Sequence, residues 1–214
     1  MKLNSIRFLI FDLDGTLVDT SRGVVQSVNA TLKFFGEPPR TDREIIKFIG
    51  FPLQEMFSAF SSKPYNLLWQ KFQELGKDVI TESAIAIDGV TETLVELRKR
   101  GYRFGIGTTK IHYHLEKIVR KFSWQKTFEA LVGADDVSRV KPHPDAFLKA
   151  MAILNGSETN TLIVGDTIND ILAAKAASLP VALVESPYGN SDYPSTAAPD
   201  LKLKRISDLL SLLP

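Results

Sequence analysis

The sequence predicts an α/β protein: a Rossmann-like, three-layer core on a parallel sheet, with an all-helical cap domain inserted near its start. Three observations carry this. Short apolar runs of strand length alternate with stretches whose apolar residues recur at helical spacing, the pattern of a parallel sheet covered by helices on both faces. The alternation stops over residues 21–83, which read as helices throughout, and about sixty residues far exceeds an ordinary connection. Acidic residues follow several of the apolar runs, and open α/β sheets place their ligand sites at the carboxyl ends of the strands.

The first run, Phe8–Phe11 in "FLIFDLDGT", is a short buried strand. It ends on Asp12 and Asp14, whose closeness raises the cost of ionising both. A divalent cation among them is the simplest offset. The stretches "GVVQSVNATLKFFG", "DREIIKFIG", "LQEMFSAF" and "YNLLWQKFQELG" follow as helices. They set the insertion at 17–83 and leave 1–16 and 84–214 as a discontinuous core. Phe57, Phe60, Trp69 and Phe72 are expected to pack inside the insertion, whereas Phe51, in the loop after Gly50, is better placed to reach a substrate. Asp19, with Thr20 and Ser21 as rivals, is expected to cap the first inserted helix.

Beyond the insertion, "VTETLVELRKRG" sets Val90, Leu94 and Leu97 on one helical face, with Gly101 as a stop. The strand Tyr102–Gly107 leads to Thr108, Thr109 and Lys110. In "IHYH", His112 and His114 would not share a helical face, which argues against a joint metal site. The strand Ala130–Val132 leads to Asp135 and Asp136, read as solvated loop acids as readily as metal neighbours, and then to Lys141 in "VKPHPD". "HPDAFLKAMAILNG" is a helix with Pro144 near its start, an apolar face of Phe147, Leu148, Met151 and Leu154, and Asn155-Gly156 as its stop. The strand Leu162–Val164 leads to Asp166, Thr167 and Asp170. The helix "INDILAAKAASLP", with Ile168, Ile171 and Leu172, precedes a last strand, Val181–Val184.

Composition removes whole classes of function. With 26 Lys+Arg against 25 Asp+Glu the net charge is +1, so neither nucleic acid nor an anionic membrane surface is an expected partner. There is no Cys, hence no disulfide, thiolate zinc site or cysteine nucleophile. No apolar stretch approaches the roughly 18 residues of a membrane span, and the N-terminal run breaks at Asp12, too soon for a signal peptide. A cytoplasmic protein is expected. No long apolar seam is evident, which favours a monomer or a weak homodimer.

One mouth of the sheet therefore collects several carboxylates, a hydroxyl and a lysine. Carboxylate oxygens suit Mg²⁺, a hydroxyl and an ammonium suit a phosphate, and a carboxylate beside Mg²⁺ can accept a phosphoryl group. "DLDGT", "TTK", "KPHPD" and "GDTIND", in that order after successive strands, resemble the motifs of the haloacid dehalogenase superfamily. The helical insertion right after the first motif resembles the cap of its phosphoglycolate phosphatase-like branch, and the resemblance spans essentially the whole chain.

The resemblance implies a role for each matching residue. Asp12 would be the nucleophile, and Asp14 the general acid/base that also offers a backbone carbonyl to Mg²⁺. Gly15 and Thr16 would form the tight turn that turns N–H groups toward the phosphate. Thr108 and Lys141 would neutralise phosphoryl oxygens, with Thr109 beside them. Asp166 would bind the metal directly, and Asp170 through water or by holding Lys141. Thr109 stands where many members carry Asn, and Ser178 where glycine is usual. Asp14 favours phosphoryl transfer over dehalogenation, and Thr16 and Leu53 depart from the sugar phosphomutase pattern. The implied substrate is a small phosphorylated metabolite, phosphoglycolate first, with Arg43 and Lys47 as partners for its carboxylate. Pyrophosphate, a 5′-nucleotide, a mutase reaction and a non-catalytic phospholigand- or protein-binding role are the alternatives. The intact acid set argues against the last. Leu17–Thr20 and Ser83–Asp88 are the expected hinges of the cap.

Overall fold

The computed structural model describes residues 3–186, 188 and 193–214. The chain runs through β1 (Phe8–Phe11), β2 (Val18–Asp19), α1 (Ser21–Phe34), α2 (Asp42–Ile46), α3 (Leu53–Phe60), α4 (Tyr65–Gly76), α5 (Val79–Ser83) and β3 (Ile85–Ala86). It continues through α6 (Val90–Lys99), β4 (Arg103–Gly107), α7 (His112–Lys121), β5 (Phe128–Val132), α8 (Asp145–Leu154), β6 (Thr161–Gly165), α9 (Ile168–Ala176), β7 (Val181–Val184), β8 (Leu201–Leu203) and α10 (Leu209–Leu212). The main sheet is parallel, in the order β5-β4-β1-β6-β7-β8. The chain leaves β1 toward one edge and returns to β6 on its other side, so the strand order reverses at β1. The carboxyl end of β1 is therefore a switch point, where a crevice opens between neighbouring connections.

Strand side chains alternate between two apolar layers. Leu9 and Phe11 face a core shared with Val90, Leu94 and Leu97 of α6 and Leu115, Ile118 and Val119 of α7. Phe8 and Ile10 face the other, built with Ala146, Phe147, Ala150 and Leu154 of α8 and Ile171, Ala173 and Ala174 of α9. Leu148 and Leu172, expected on the buried faces, are exposed. The stripe on α8 runs through 147, 150, 151 and 154, which leaves 148 on the outer side, and α9 meets the sheet through its alanines. Asn155, not Gly156, ends α8 in a left-handed conformation, with φ +56°, and Ser178 after α9 has φ +58°. So the serine adopts a conformation that glycine enters more cheaply.

The inserted helices bury their own cluster. Val24, Val28 and Leu32 of α1, spaced by four residues, meet Ile45, Ile49, Met56, Phe57, Phe60, Leu68, Phe72 and Ile80. Entry and exit of the insertion are pinned together: β2 and β3 pair antiparallel, Val18 opposite Ala86 and Asp19 opposite Ile85. Among the described residues no helix is long and apolar enough to cross a membrane.

Candidate active site

Asp12 follows β1, and its N–H still donates to Val164 O at 2.8 Å, so the sheet ladder holds the residue beyond the strand's end. Its side chain is buried. Lys141, in the segment between β5 and α8, is buried too; its Nζ lies 2.5 Å from Asp12 Oδ1 and 2.6 Å from Asp170 Oδ1. Asp170 sits in the first turn of α9 and closes a capping box with Thr167. Its Oδ2 accepts from Thr167 N–H at 3.0 Å, Thr167 Oγ1 at 2.8 Å and Asp166 N–H at 3.2 Å. Both oxygens of Asp170 are thus engaged, one by Lys141 and one by the helix start. Of the two roles expected for it, the geometry matches holding Lys141.

Asp166, right after β6, accepts a hydrogen bond on Oδ1 from Thr16 Oγ1 at 3.1 Å. Gly15 has φ +87°, and a Cβ there would collide with the Asp166 carboxylate and come within 2.8 Å of Ser186 Oγ. The Gly15 N–H donates to Val18 O at 2.8 Å, so this amide closes its own turn instead of facing a phosphate. What glycine contributes is clearance for Asp166 and a left-handed turn.

Asp12, Asp166 and Asp170 each offer an oxygen, and these oxygens lie within 4.8 Å of one another. Among the described residues, Asp12 Oδ2 and Asp166 Oδ2 are buried without a well-formed hydrogen bond, although the Ser186 hydroxyl stands beside the Asp166 carboxylate and opposes the rise of its pKa. Burial pushes Asp12 up to about 7; Lys141 opposes this, and the charges of Asp170 and Asp14 add to it. Asp166 is raised well above the usual carboxylate range, by burial first and then by Asp170 and Asp12. For Lys141 burial opposes the charge, but Asp12 and Asp170 outweigh it and raise its pKa. One ammonium does not balance three carboxylates, and two of their oxygens lack a well-formed hydrogen bond. A hard divalent cation with oxygen ligands fits this donor set.

Asp14 stands apart from that cluster. Thr20 Oγ1 donates to its Oδ1, and Lys110 Nζ lies 3.0 Å from its Oδ2. The Thr20 N–H donates to Tyr188 Oη at 3.1 Å, and that hydroxyl donates to Asp19 Oδ1 at 3.1 Å. Asp19 also accepts from the Ser21 N–H at 2.8 Å, as a residue at the start of α1 should, although Thr20 holds the capping position itself. Thr20 and Tyr188 were not legible as site neighbours, because the contacts that bring them in are set by the fold. Thr108, after β4, is buried, and its Oγ1 accepts from Lys110 N–H at 3.2 Å. Asp135 and Asp136 do not join the acidic cluster. They secure the start of α7, Asp135 by accepting from His112 N–H at 2.6 Å and Asp136 by pairing with His112 Nδ1 at 2.5 Å.

Beyond Asp14 a cavity of about 80 Å³ opens between the core and the inserted helices. Thr109, Lys110 and His114 line it from the core, and Phe51, Trp69 and Phe72 from the insertion. Phe51 thus lines the cavity and Phe72 serves both cavity and packing, whereas Trp69, half-buried and outside the buried cluster of the insertion, does not pack inside it as expected. Arg43 and Lys47 are exposed and do not line it. They lie four residues apart on the outer face, while Ile45 and Ile49 turn inward.

The geometry has close counterparts. A model of the haloacid dehalogenase-like hydrolase family matches residues 9–184. The pyrophosphatase PpaX of Bacillus anthracis is 32% identical over 213 residues, covering 100% of this chain and 97% of the relative. A crystal structure of a haloacid dehalogenase-like hydrolase from Bacteroides fragilis superposes with a TM-score of 0.88 at 28% identity, covering 95% of this chain and 99% of that one. A predicted phosphoglycolate phosphatase from Haemophilus somnus shares the fold, with a TM-score of 0.85 at 24% identity and 99% coverage of both chains. With the motif residues gathered at one switch point and a family match over most of its length, the chain belongs to the haloacid dehalogenase-like hydrolase family.

Proposed function

We propose that this protein is a Mg²⁺-dependent phosphatase that hydrolyses a small phosphomonoester through an aspartyl-phosphate on Asp12. The observation that carries the reading is the pair of buried oxygens without a well-formed hydrogen bond among the described residues, Asp12 Oδ2 and Asp166 Oδ2, beside the fully buried Lys141. Asp12 and Asp166 would hold the metal, together with the Asp14 backbone carbonyl. When bound, Mg²⁺ supplies the positive charge that keeps these acids ionised and offsets charge on the phosphoryl group.

The chain's own residues divide the remaining work. Lys141 orients Asp12 through its 2.5 Å contact, and with Thr108 it would neutralise the phosphoryl oxygens. Asp12 attacks phosphorus as the ester P–O bond breaks, and Asp14 protonates the departing oxygen. Asp14 then takes a proton from water, whose oxygen attacks phosphorus and releases Asp12 with its carboxylate restored. Residues 17–83 act as a cap over this mouth, with the β2–β3 ribbon as its hinge, excluding bulk water while the leaving group is bound.

A second reading, pyrophosphate hydrolysis, is favoured by the identity to PpaX along the whole chain. Phosphoglycolate, the first expectation, has lost its assigned cations, since Arg43 and Lys47 do not line the cavity. The test is phosphate release from phosphoglycolate, pyrophosphate, nucleoside monophosphates, hexose phosphates and simple alkyl and aryl phosphates, with and without Mg²⁺. Release that needs Mg²⁺ and vanishes in Asp12→Asn is the expected result. A folded Asp12→Asn variant with near-normal turnover would remove the nucleophile assignment.

A further inference from the structure

The cavity beyond Asp14 has a chemical character of its own. Val24, Phe48, Ile49, Leu53, Met56 and Ile80 complete an apolar wall around its aromatic side chains. Among the described residues, the charged groups lining it are Asp14 and Lys110, and these pair with each other at 3.0 Å. The rest of the wall is largely apolar, with Gln73, Thr109 and His114 as its neutral polar side chains, so it favours a leaving group with apolar surface to bury.

His114 supplies an independent observation. It lines this cavity, is buried, and leaves its Nε2 buried without a hydrogen-bond partner among the described residues. Burial, helped by the charges of Lys110 and Lys117, pushes its pKa down to about 3. The ring is therefore neutral across the working range, with one nitrogen as donor and one as acceptor. Buried polar groups without partners are few in folded proteins and call for an explanation. A hydrogen-bonding group on the bound substrate provides one.

We infer that the leaving group of the substrate has a largely apolar body that lies in this cavity and hydrogen-bonds His114. The assignment rests on the phosphatase reading above for where the phosphoryl group sits. It separates this chain from an enzyme for phosphoglycolate or pyrophosphate, whose leaving groups have little or no apolar surface to bury against that wall. His114 acts as a specificity residue: it selects the leaving group and takes no part in the bond changes.

Binding and turnover test the two readings separately. The probes are phenyl phosphate, 4-hydroxyphenyl phosphate, phosphoglycolate and pyrophosphate, titrated calorimetrically with Mg²⁺ into Asp12→Asn, alone and combined with His114→Phe or His114→Gln. Phenyl phosphate should bind at least about tenfold more tightly than either charged competitor, because its ring buries apolar surface against that wall. The added hydroxyl should tighten binding about fivefold, the worth of one net hydrogen bond. That gain should disappear in His114→Phe and be largely kept in His114→Gln. Tighter binding of phosphoglycolate or pyrophosphate, no binding of phenyl phosphate, or an unchanged hydroxyl gain in His114→Phe would each overturn the inference. If His114→Phe does not fold, the comparison of phenyl phosphate with the charged competitors and the glutamine variant still decide. A wild-type protein that binds the aryl esters but releases phosphate from none would sink the phosphatase reading and leave the leaving-group assignment standing.

Discussion

Lys141 Nζ lies 2.5 Å from Asp12 Oδ1, and both side chains are shut off from water. The same ammonium reaches Asp170 Oδ1 at 2.6 Å, so among the described residues it is the cation set among three clustered carboxylates. Removing one partner of a buried pair leaves an uncompensated charge, at a cost of about 3–5 kcal/mol. Lys141→Met should lose stability of that order in urea unfolding without metal, and activity should fall to background. An unfolding midpoint equal to the wild type's would show that the lysine is not the counter-charge described here.

The acids give the metal-free protein a pH signature. In the folded state Asp12 titrates at about 7 and Asp166 well above its ordinary value, both because they are buried. From about pH 4 to 7 the folded chain therefore holds more protons than the unfolded one, and stability falls as pH rises through that window. Metal ligands must be deprotonated to bind. Added Mg²⁺ should therefore bind more tightly at pH 8 than at pH 5.5 and raise the melting temperature more there. Scanning calorimetry at both pH values, with Mg²⁺ and with a chelator, measures this. Equal shifts would mean that these carboxylates are not the metal's ligands.

His114 predicts the opposite sign. Its folded pKa of about 3 lies below the unfolded 6.5, because burial disfavours the charged ring. Below pH 6.5 the unfolded chain gains a proton that the folded chain refuses, so stability falls as pH falls. At pH 5 this amounts to on the order of 2 kcal/mol. His114→Gln should lose that acid limb, and its urea midpoint should change less between pH 7 and 5 than the wild type's. Parallel curves for the two proteins would place the titrating group elsewhere.

Much of this was legible in the sequence, for identifiable reasons. Strands β1, β6 and β7 are buried along their whole length and β4 beyond Arg103, and such apolar runs stand out, whereas in β5 the exposed Glu129 left only Ala130–Val132 legible. Strand β8 escaped because Leu201–Leu203 is too short to show a period; it is held by pairing with β7 and by Asp200, whose N–H donates to Val181 O at 2.9 Å while its carboxylate accepts from Val181 N–H at 2.9 Å. The acids that end β1 and follow β6 were readable because strand ends are where α/β sites form. Arg43 and Lys47 were chosen by nearness in sequence; in the structure they are exposed and do not line the cavity, because the spacing of Ile45 and Ile49 turns them outward. The ties of Asp14 to Thr20 and Lys110, and of Thr20 to Tyr188, depend on chain segments meeting in space.

The tie from Thr20 to Asp14 crosses from the first inserted helix to the core. Thr20 Oγ1 donates to Asp14 Oδ1, and the Thr20 backbone is itself held by Tyr188. A carboxyl that must deliver a proton to a departing oxygen needs a fixed direction, and general acid–base catalysis contributes about 10²–10⁴-fold when that direction is right. Thr20→Val keeps the shape and removes the donor, which leaves Asp14 held by Lys110 alone. Expected is a fall in kcat of about tenfold with KM little changed, and recovery in Thr20→Ser. The loss should depend on the leaving group. A phenol, with a pKa of about 10, departs with little help, whereas an alkanol needs the proton. Thr20→Val should therefore cost more on an alkyl phosphate than on phenyl phosphate. Equal losses on both would mean that Thr20 steadies the cap alone and has no part in aiming the acid.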